Sequence, residues 1–515
     1  MIFRVIAGKN FKTYIKMEDV QTKDDLELVE AVRSAVSRKE YLPYIQSFNK
    51  YISYSYLFDE VYFPAQFWQD VEENLFQLTG IHFPLENEET LYNNNLNREQ
   101  FDDFVNNLKV PDDISTTDEK YKFQPESVYL ALYNKIGHIE VATSGGKTFI
   151  TYMYCRYICE HIRLMDEKGY PLEKQKILVI VPSKILAKQL QSDFKHYQER
   201  EEKKIVVETI FAGSKRILDA DIVCGTFQSL SNYDKDYFDD FRFIICDEVH
   251  RAKTFSIKEN IFNKIMYADF FFGMSGTYPK KKSLDYIHII SMFGPLLYKK
   301  TVSELIDEGI STPTKIHIIK INYDSDAEFS NNLVESQIQG INKYNTEKEF
   351  FHNNKKRTEI LAKLLKAYKD NALILVDTLE YCWQLKDFLT EYFSKNNIKR
   401  TVEVINYKVS NREEILDEMR NSIDSFILIG TYGTMSTGIN VKNIEQMYFV
   451  DGGKSDIRIR QSIGRGIRLY PKKEYCQVFD FYDNMTKSAF ANHAKLRMKI
   501  YREQKLDFKI SEITI

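Results

Sequence analysis

The sequence predicts an α/β protein made of two tandem parallel-sheet lobes behind a small α+β amino-terminal accessory domain. Three observations carry that expectation. At 515 residues the chain is longer than one hydrophobic core ordinarily supports. Short β-branched runs alternate with longer amphipathic stretches, the pattern of buried parallel strands joined by helices. The alternation also starts twice, first with runs at 176–181, 221–226 and 243–247, then after Thr312-Pro313 with runs at 372–376, 425–430 and 446–451. The domains expected are therefore 1–115 (accessory), 116–312 (first lobe) and 313–515 (second lobe).

The amino-terminal module is rich in tyrosine and phenylalanine. Tyr51, Tyr54, Tyr56, Tyr62 and Phe63 could stack on bases, but alternating aromatic and apolar residues are also what a half-buried strand requires, and packing is the expected role. The polar stretch 111–118 reads as a linker.

In the first lobe, Val141-Ala142-Thr143-Ser144-Gly145-Gly146-Lys147-Thr148 lies between an apolar strand pattern and a helical one. Glycines there let backbone N–H groups wrap phosphates, Lys147 offers a point charge to the β and γ phosphates, and the Thr148 hydroxyl suits Mg²⁺. Val141 replaces the glycine that usually opens this pattern. About a hundred residues on, an apolar strand ends in Asp247-Glu248-Val249-His250. Asp247 can hold Mg²⁺ through its water shell and Glu248 can polarise an attacking water. ATP with Mg²⁺ is thus the expected nucleotide and metal.

In the second lobe, Gln461, Arg465 and Arg468 are spaced by four and three residues, which on a helix puts them on one face. Such a face can present charge to a transferred phosphoryl group. It can equally be a solvated basic surface.

Taken together these segments resemble, in order, the motifs of superfamily 2 helicases of the DExH type, whose lobes are RecA-like. The narrower likeness is to the phage UvsW-type recombination-repair helicases, through Ser275-Gly276-Thr277, Met292-Phe293-Gly294, the run 432–439, Gln461-Ser462-Ile463-Gly464-Arg465 and Val478-Phe479-Asp480. The resemblance implies nucleic-acid-dependent ATP hydrolysis, with Lys147, Asp247, Glu248, Gln461, Arg465 and Arg468 as catalytic residues. Phe123 and Gln124 would read adenine, and Thr143, Ser144, Gly145, Gly146, Gly438 and Asn440 would line the nucleotide, although many relatives carry Asp where this chain has Asn440. Backbone contacts to the track would come from Pro182, Ser183, Lys184, Thr226, Gln228, Asp377 and Thr431. His250, Ser275, Gly276 and Thr277 would couple hydrolysis to movement, the last two hydroxyls reaching the acidic box from across the cleft. ATP held by Lys147 on one lobe and Arg468 on the other would act as a clamp.

The same likeness implies branched or single-stranded DNA as partner and unwinding, annealing or branch migration as the work. Residues alone leave DNA and RNA both open, along with polarity, protein partners in replication or recombination, and oligomeric state. A translocating subunit of a restriction or defence complex is the main rival. A P-loop enzyme acting on a small molecule fits less well, since it would not need the 461–468 pattern.

Bulk properties agree with a local rather than global nucleic-acid surface. Lys and Arg total 71 against 74 Asp and Glu, a net charge of −3, so no general basic character announces such a partner. No apolar run approaches a membrane span, and no secretory signal is read at the start, which gives the cytoplasm as the expected compartment, the host's if the gene is a phage's. The six cysteines at 155, 159, 224, 246, 382 and 476 lack zinc-site spacing and read as reduced core residues. Lys280-Lys281-Lys282 and Lys472-Lys473 read as solvated surface.

Overall fold

A computed structural model describes residues 2–7, 13–18, 23–42, 47–52, 55–57, 60–64, 67–88, 92, 95–163, 175–211, 219–252, 257, 260–265, 267–279, 283–324, 341–406, 409, 411–422, 424–435, 441, 443–453, 459, 462–464, 468, 470 and 473–515. It divides into two compact units. The first comprises Met1–Val141 with Gly146–Lys300, and the second Ala142–Gly145 with Thr301–Ile515.

Unit 1 begins with strands β1 (Ile2–Ala7), β2 (Thr13–Glu18), β3 (Ser37–Leu42), β4 (Ser47–Ile52), β5 (Ser55–Leu57), β6 (Glu60–Pro64) and β7 (Leu85–Glu86). They form a sheet in the order β5-β6-β2-β1-β7 and a separate β3–β4 hairpin. Helices α1 (Lys23–Val36) and α2 (Trp68–Thr79) complete this α+β module. Phe3, Ile15, Met17, Val32, Val71 and Leu75 make its core. The core does not close on itself, because Tyr286, Ile287 and Ile290 from a helix of the following lobe belong to the same cluster. The Tyr286 hydroxyl donates to both carboxylate oxygens of buried Asp70, at 2.9 and 2.7 Å. Of the five aromatics singled out here, Tyr54 lies outside the described residues. The others sit on β4, β5 and β6.

The stretch read as a linker is pinned. Arg200 pairs with Asp112 at 2.5 Å, and His196 with Asp113 at 3.1 Å. Just before it, Phe101 and Phe104 of α3 (Arg98–Asn107) pack on Tyr129 and Tyr157. Each buried ring contributes about 1.5–3 kcal/mol to holding α3 in place.

The lobe itself holds β8 (Ile136–Val141), β9 (Lys176–Val181), β10 (Val207–Ile210), β11 (Ile222–Thr226), β12 (Phe241–Asp247), β13 (Phe270–Ser275) and β14 (Leu296–Lys300). Their order is β10-β11-β9-β12-β13-β8-β14, all parallel. Unit 2 repeats the design with β15 (Thr314–Asn322), β16 (Ala372–Val376), β17 (Thr401–Ile405), β18 (Phe426–Thr431), β19 (Gln446–Phe449), β20 (Cys476–Asn484) and β21 (Phe508–Thr514), in the order β17-β18-β16-β19-β20-β15-β21, again all parallel. The predicted architecture of two parallel lobes behind an α+β module is the one observed. Central strands such as 177–181 and 372–376 are buried along their length, as a parallel sheet covered on both faces demands. All six cysteines are buried and free. Among the described residues no helix is long and apolar enough to cross a membrane.

Candidate functional site

At the carboxyl edge of the first lobe, β8 ends at Val141 and α5 (Lys147–Tyr157) starts after a five-residue turn. Gly146 adopts φ +79°, and a Cβ there would stand 2.3 Å from Gln124 Nε2. The left-handed backbone favours glycine, and any Cβ would oblige the Gln124 amide to move. The same contact brings Gln124, buried near the start of α4 (Phe123–Asn134), against the loop. Lys300 Nζ lies 5.1 Å from the centre of the neighbouring Phe123 ring. Lys147 Nζ donates to the Val141 carbonyl at 3.2 Å, and Thr148 is half-buried in the first turn of α5.

Asp247 closes β12, two strands from β8 in the sheet, with β13 between them. Glu248 follows with φ 55° and ψ 51°. A non-glycine residue in that region costs of order 1–3 kcal/mol and persists only where surroundings hold it. Here they do. Glu248 Oε2 lies 3.2 Å from His250 Nδ1 and 3.4 Å from Ser275 Oγ, and the Glu248 N–H donates to Asp247 Oδ1 at 2.9 Å. Ser275 has one proton, and its shortest acceptor is the Thr277 carbonyl at 2.5 Å. The serine oxygen therefore accepts from His250 Nδ1 at 2.9 Å and from the Thr277 N–H at 3.2 Å. That makes Nδ1 the protonated ring nitrogen, shared between Ser275 and Glu248. Thr277 Oγ1 is buried without a hydrogen-bond partner among the described residues.

These contacts set the charge. Burial, and then the neighbouring Glu248 carboxylate, push Asp247 up to about 6, against the pull of Lys147. Burial also raises Glu248, but the His250 hydrogen bond and the Lys147 charge outweigh it and hold this carboxyl below its ordinary range. Two carboxylates thus share one nearby lysine, an arrangement short of positive charge. One carboxylate with one hydroxyl, Asp247 and Thr148, is the donor set that Mg²⁺ accepts when waters and phosphates complete its shell. The residues fit that ion. Ser275 approaches Glu248 from the adjacent strand β13 of the same sheet rather than from across a cleft, and the Thr277 hydroxyl bonds neither carboxylate.

Loops after the other strands are helix caps. Ser183 accepts from Leu186 N at 3.3 Å, leaving Lys184 exposed beyond Pro182. Buried Thr226 accepts from Ser229 N at 3.1 Å, and Gln228 is exposed on the turn that follows.

In unit 2, Thr431 ends β18 and is buried. Asp377 follows β16, with its N–H on Asp451 Oδ2 at 2.7 Å and its carboxylate bonded by Tyr344. Gln461, Arg465, Gly438 and Asn440 lie outside the described residues. Arg468 corrects the helical reading of its motif. Helical backbone is described at 459 and 462–464, and Arg468 sits in non-helical chain, beyond Gly464 and Gly466, each a poor helix residue. Its carbonyl is held by Thr312 Oγ1 at 3.2 Å and Lys473 Nζ at 3.1 Å. Lys473 is consequently buried rather than solvated, and that burial lowers its pKa. Lys280, Lys281, Lys282 and Lys472 lie outside the described residues.

Sequence reading missed a buried ionic frame behind this edge. Arg357 binds Asp483 through Nε at 2.8 Å and Nη2 at 2.9 Å, and Tyr323 donates to the same carboxylate at 2.5 Å. Arg497 Nε lies 2.9 Å from both oxygens of Asp480, which also accepts from Tyr501 at 2.7 Å. His352 reaches Asp451 at 2.9 Å. A charged residue inside an otherwise apolar strand, such as Asp480 or Asp483, was the one available signal.

Two domain families match the chain: the res subunit of type III restriction enzymes over residues 97–280 and the helicase conserved C-terminal domain over residues 356–470. The ATP-dependent DNA helicase uvsW of Enterobacteria phage T4 is 26% identical over 441 residues, covering 82% of each chain. A putative ATP-dependent RNA helicase, L396, of Acanthamoeba polyphaga mimivirus is 26% identical over 298 residues, 56% of this chain and 52% of that one. Among solved structures, the fragment of a putative HsdR subunit of a type I restriction enzyme from Vibrio vulnificus YJ016 shares the fold, with a TM-score of 0.54 at 16% identity over 93% of this chain and 78% of that one.

Proposed function

We propose that this chain, an ATP-hydrolysing, nucleic-acid-binding helicase, is of superfamily 2 and works on branched or forked DNA, unwinding, annealing or migrating its strands. The observation that carries the choice of DNA is the likeness to the phage T4 DNA helicase along 82% of both chains. The RNA-helicase likeness covers little more than half of each partner.

In this reading the Gly145–Gly146 turn wraps the phosphates, Lys147 binds the β and γ oxygens, and Gln124 beside the turn reads the base. Glu248, ionised and aimed by His250, orients and deprotonates the attacking water. Asp247 and Thr148 hold Mg²⁺, which when bound neutralises charge on the phosphates. His250 Nδ1 is shared between Glu248 and Ser275, so a shift of Glu248 on loss of the γ phosphate reaches the 275–277 turn through His250. Arg465 and Arg468 supply positive charge to the transferred group, and Gln461 helps orient the site. Lys184 and Gln228, exposed in the first turns of the helices capped by Ser183 and Thr226, suit contact with a nucleic-acid backbone, together with the polar groups at Thr226, Asp377 and Thr431. The cytoplasm is the compartment this work requires, the host's if the gene is a phage's.

The test is strand displacement and fork reversal on labelled DNA with ATP and Mg²⁺, beside a matched RNA duplex. Activity on forked DNA is expected. Activity on RNA alone would transfer the chain to RNA work, and DNA-stimulated ATP turnover without displacement would make it a translocase of the restriction kind.

A further inference from the structure

At the end of β20 the chain turns at Met485–Ser488 and enters α6 (Ala489–Glu503). A cleft of about 300 Å³ opens there, lined by Asn484, Thr486, Lys487, Ser488, Asn492 and Lys495 with Met485 and Ala491 at its floor. Among the described residues no acidic side chain lines it. The end of the helix is not what makes it positive. Buried Glu347 already accepts from Ser488 Oγ at 2.9 Å and Ala489 N at 2.8 Å, so the positive charge belongs to the two lysines.

The surface continues past the cleft. Asn492, Lys495, Lys499 and Arg502 are all exposed, at intervals of three and four residues, hence one face of α6. The opposite face is fixed by Phe490, Arg497 and Tyr501, each buried. A rigid support therefore presents the lysines.

Position says what such a face meets. All strands of this sheet run parallel, and the cleft lies at the carboxyl end of β20, the same edge as Thr431 after β18 and Asp377 after β16. Strand β20 is three places from β18 along that edge, about 14 Å at about 4.8 Å per step. We propose that this cleft, with Lys487 and Lys495, binds a phosphodiester of the nucleic-acid track, several nucleotides along from the one at Thr431. The assignment rests on the nucleic-acid reading above. The Asn484 and Asn492 amides beside two ammonium groups are the chemistry that recognises a phosphate and ignores the base.

The experiment is a salt series of single-stranded DNA binding by the full chain and by Lys487→Asn/Lys495→Ala. Asparagine is chosen because Lys487 has φ 55°, which Asn tolerates. Two lost contacts lower the slope of log K against log salt by about 1.4, at about 0.7 each, with ATP turnover in the absence of DNA and the unfolding midpoint unchanged. Lys487→Asn alone loses about half as much, and Lys495→Arg keeps the wild-type slope. A double variant with the wild-type slope overturns the cleft assignment while leaving the helicase reading standing. A wild-type chain that shows no salt-dependent binding overturns both.

Discussion

The carboxyl edges of the two sheets are built alike and charged in opposite styles. In the first lobe Asp247 and Glu248 face Lys147, which makes no ion pair within 4 Å among the described residues. In the second, Asp480 and Asp483 are each bonded to a buried arginine and a tyrosine. The same fold thus holds one edge poised for a polyanionic ligand with its cation and another whose charges are already neutralised internally. In the reading proposed above, water activation and metal binding fall to the first edge. The second is a stiff frame, because taking one partner from a buried pair leaves an uncompensated charge.

Substitutions on the two edges should therefore fail differently. Lys147→Ala is expected to abolish ATP turnover, by ~10³-fold or more, with the unfolding transition unmoved; retained turnover would end the phosphate-binding assignment. Glu248→Gln should lower turnover by ~10²–10⁴ while nucleotide binding persists. On the other edge, Asp483→Asn should leave nucleotide affinity alone and destabilise unit 2 by about 3–5 kcal/mol, read as an earlier denaturant transition. An unshifted transition would show that this frame is not what stiffens the lobe. Arg468→Ala is the substitution that can break the contrast. A ~10³-fold loss of turnover with nucleotide binding kept would mean the second lobe also contributes charge to the reaction, whereas loss of DNA binding alone would remove that role. The smallest effect is expected from Ser275→Ala, which removes the hydroxyl's hydrogen bonds to His250 and the Thr277 backbone, each worth about 1 kcal/mol, and should lower strand displacement per ATP more than ATP turnover itself.

What the sequence made legible follows the same divide. Runs at 176–181 and 372–376 match strands residue for residue, because a strand buried on both faces must be apolar throughout. The edge strands β10, β14, β17 and β21 were not read, since half-exposed short strands carry mixed letters. The loop at 141–148 and the acidic box were legible because chemistry fixes residue types at fixed spacing. Pairs such as Asp70 with Tyr286, or Arg357 with Asp483, join residues more than a hundred positions apart, and nothing local marks them. The accessory module was read as separate for the same reason, as its shared core with Tyr286 and Ile290 exists only in three dimensions. Glu248's left-handed backbone was equally hidden, since the partners that hold its carboxylate include Ser275, 27 positions away in the sequence.

The measurement that tests the account most directly is steady-state ATP turnover by the purified chain without nucleic acid, with single-stranded DNA, with forked DNA and with matched RNA, at one fixed salt concentration. The account predicts low turnover alone, strong stimulation by forked DNA, and none of either in Lys147→Ala. Stimulation by RNA alone, or turnover indifferent to every nucleic acid, would contradict it.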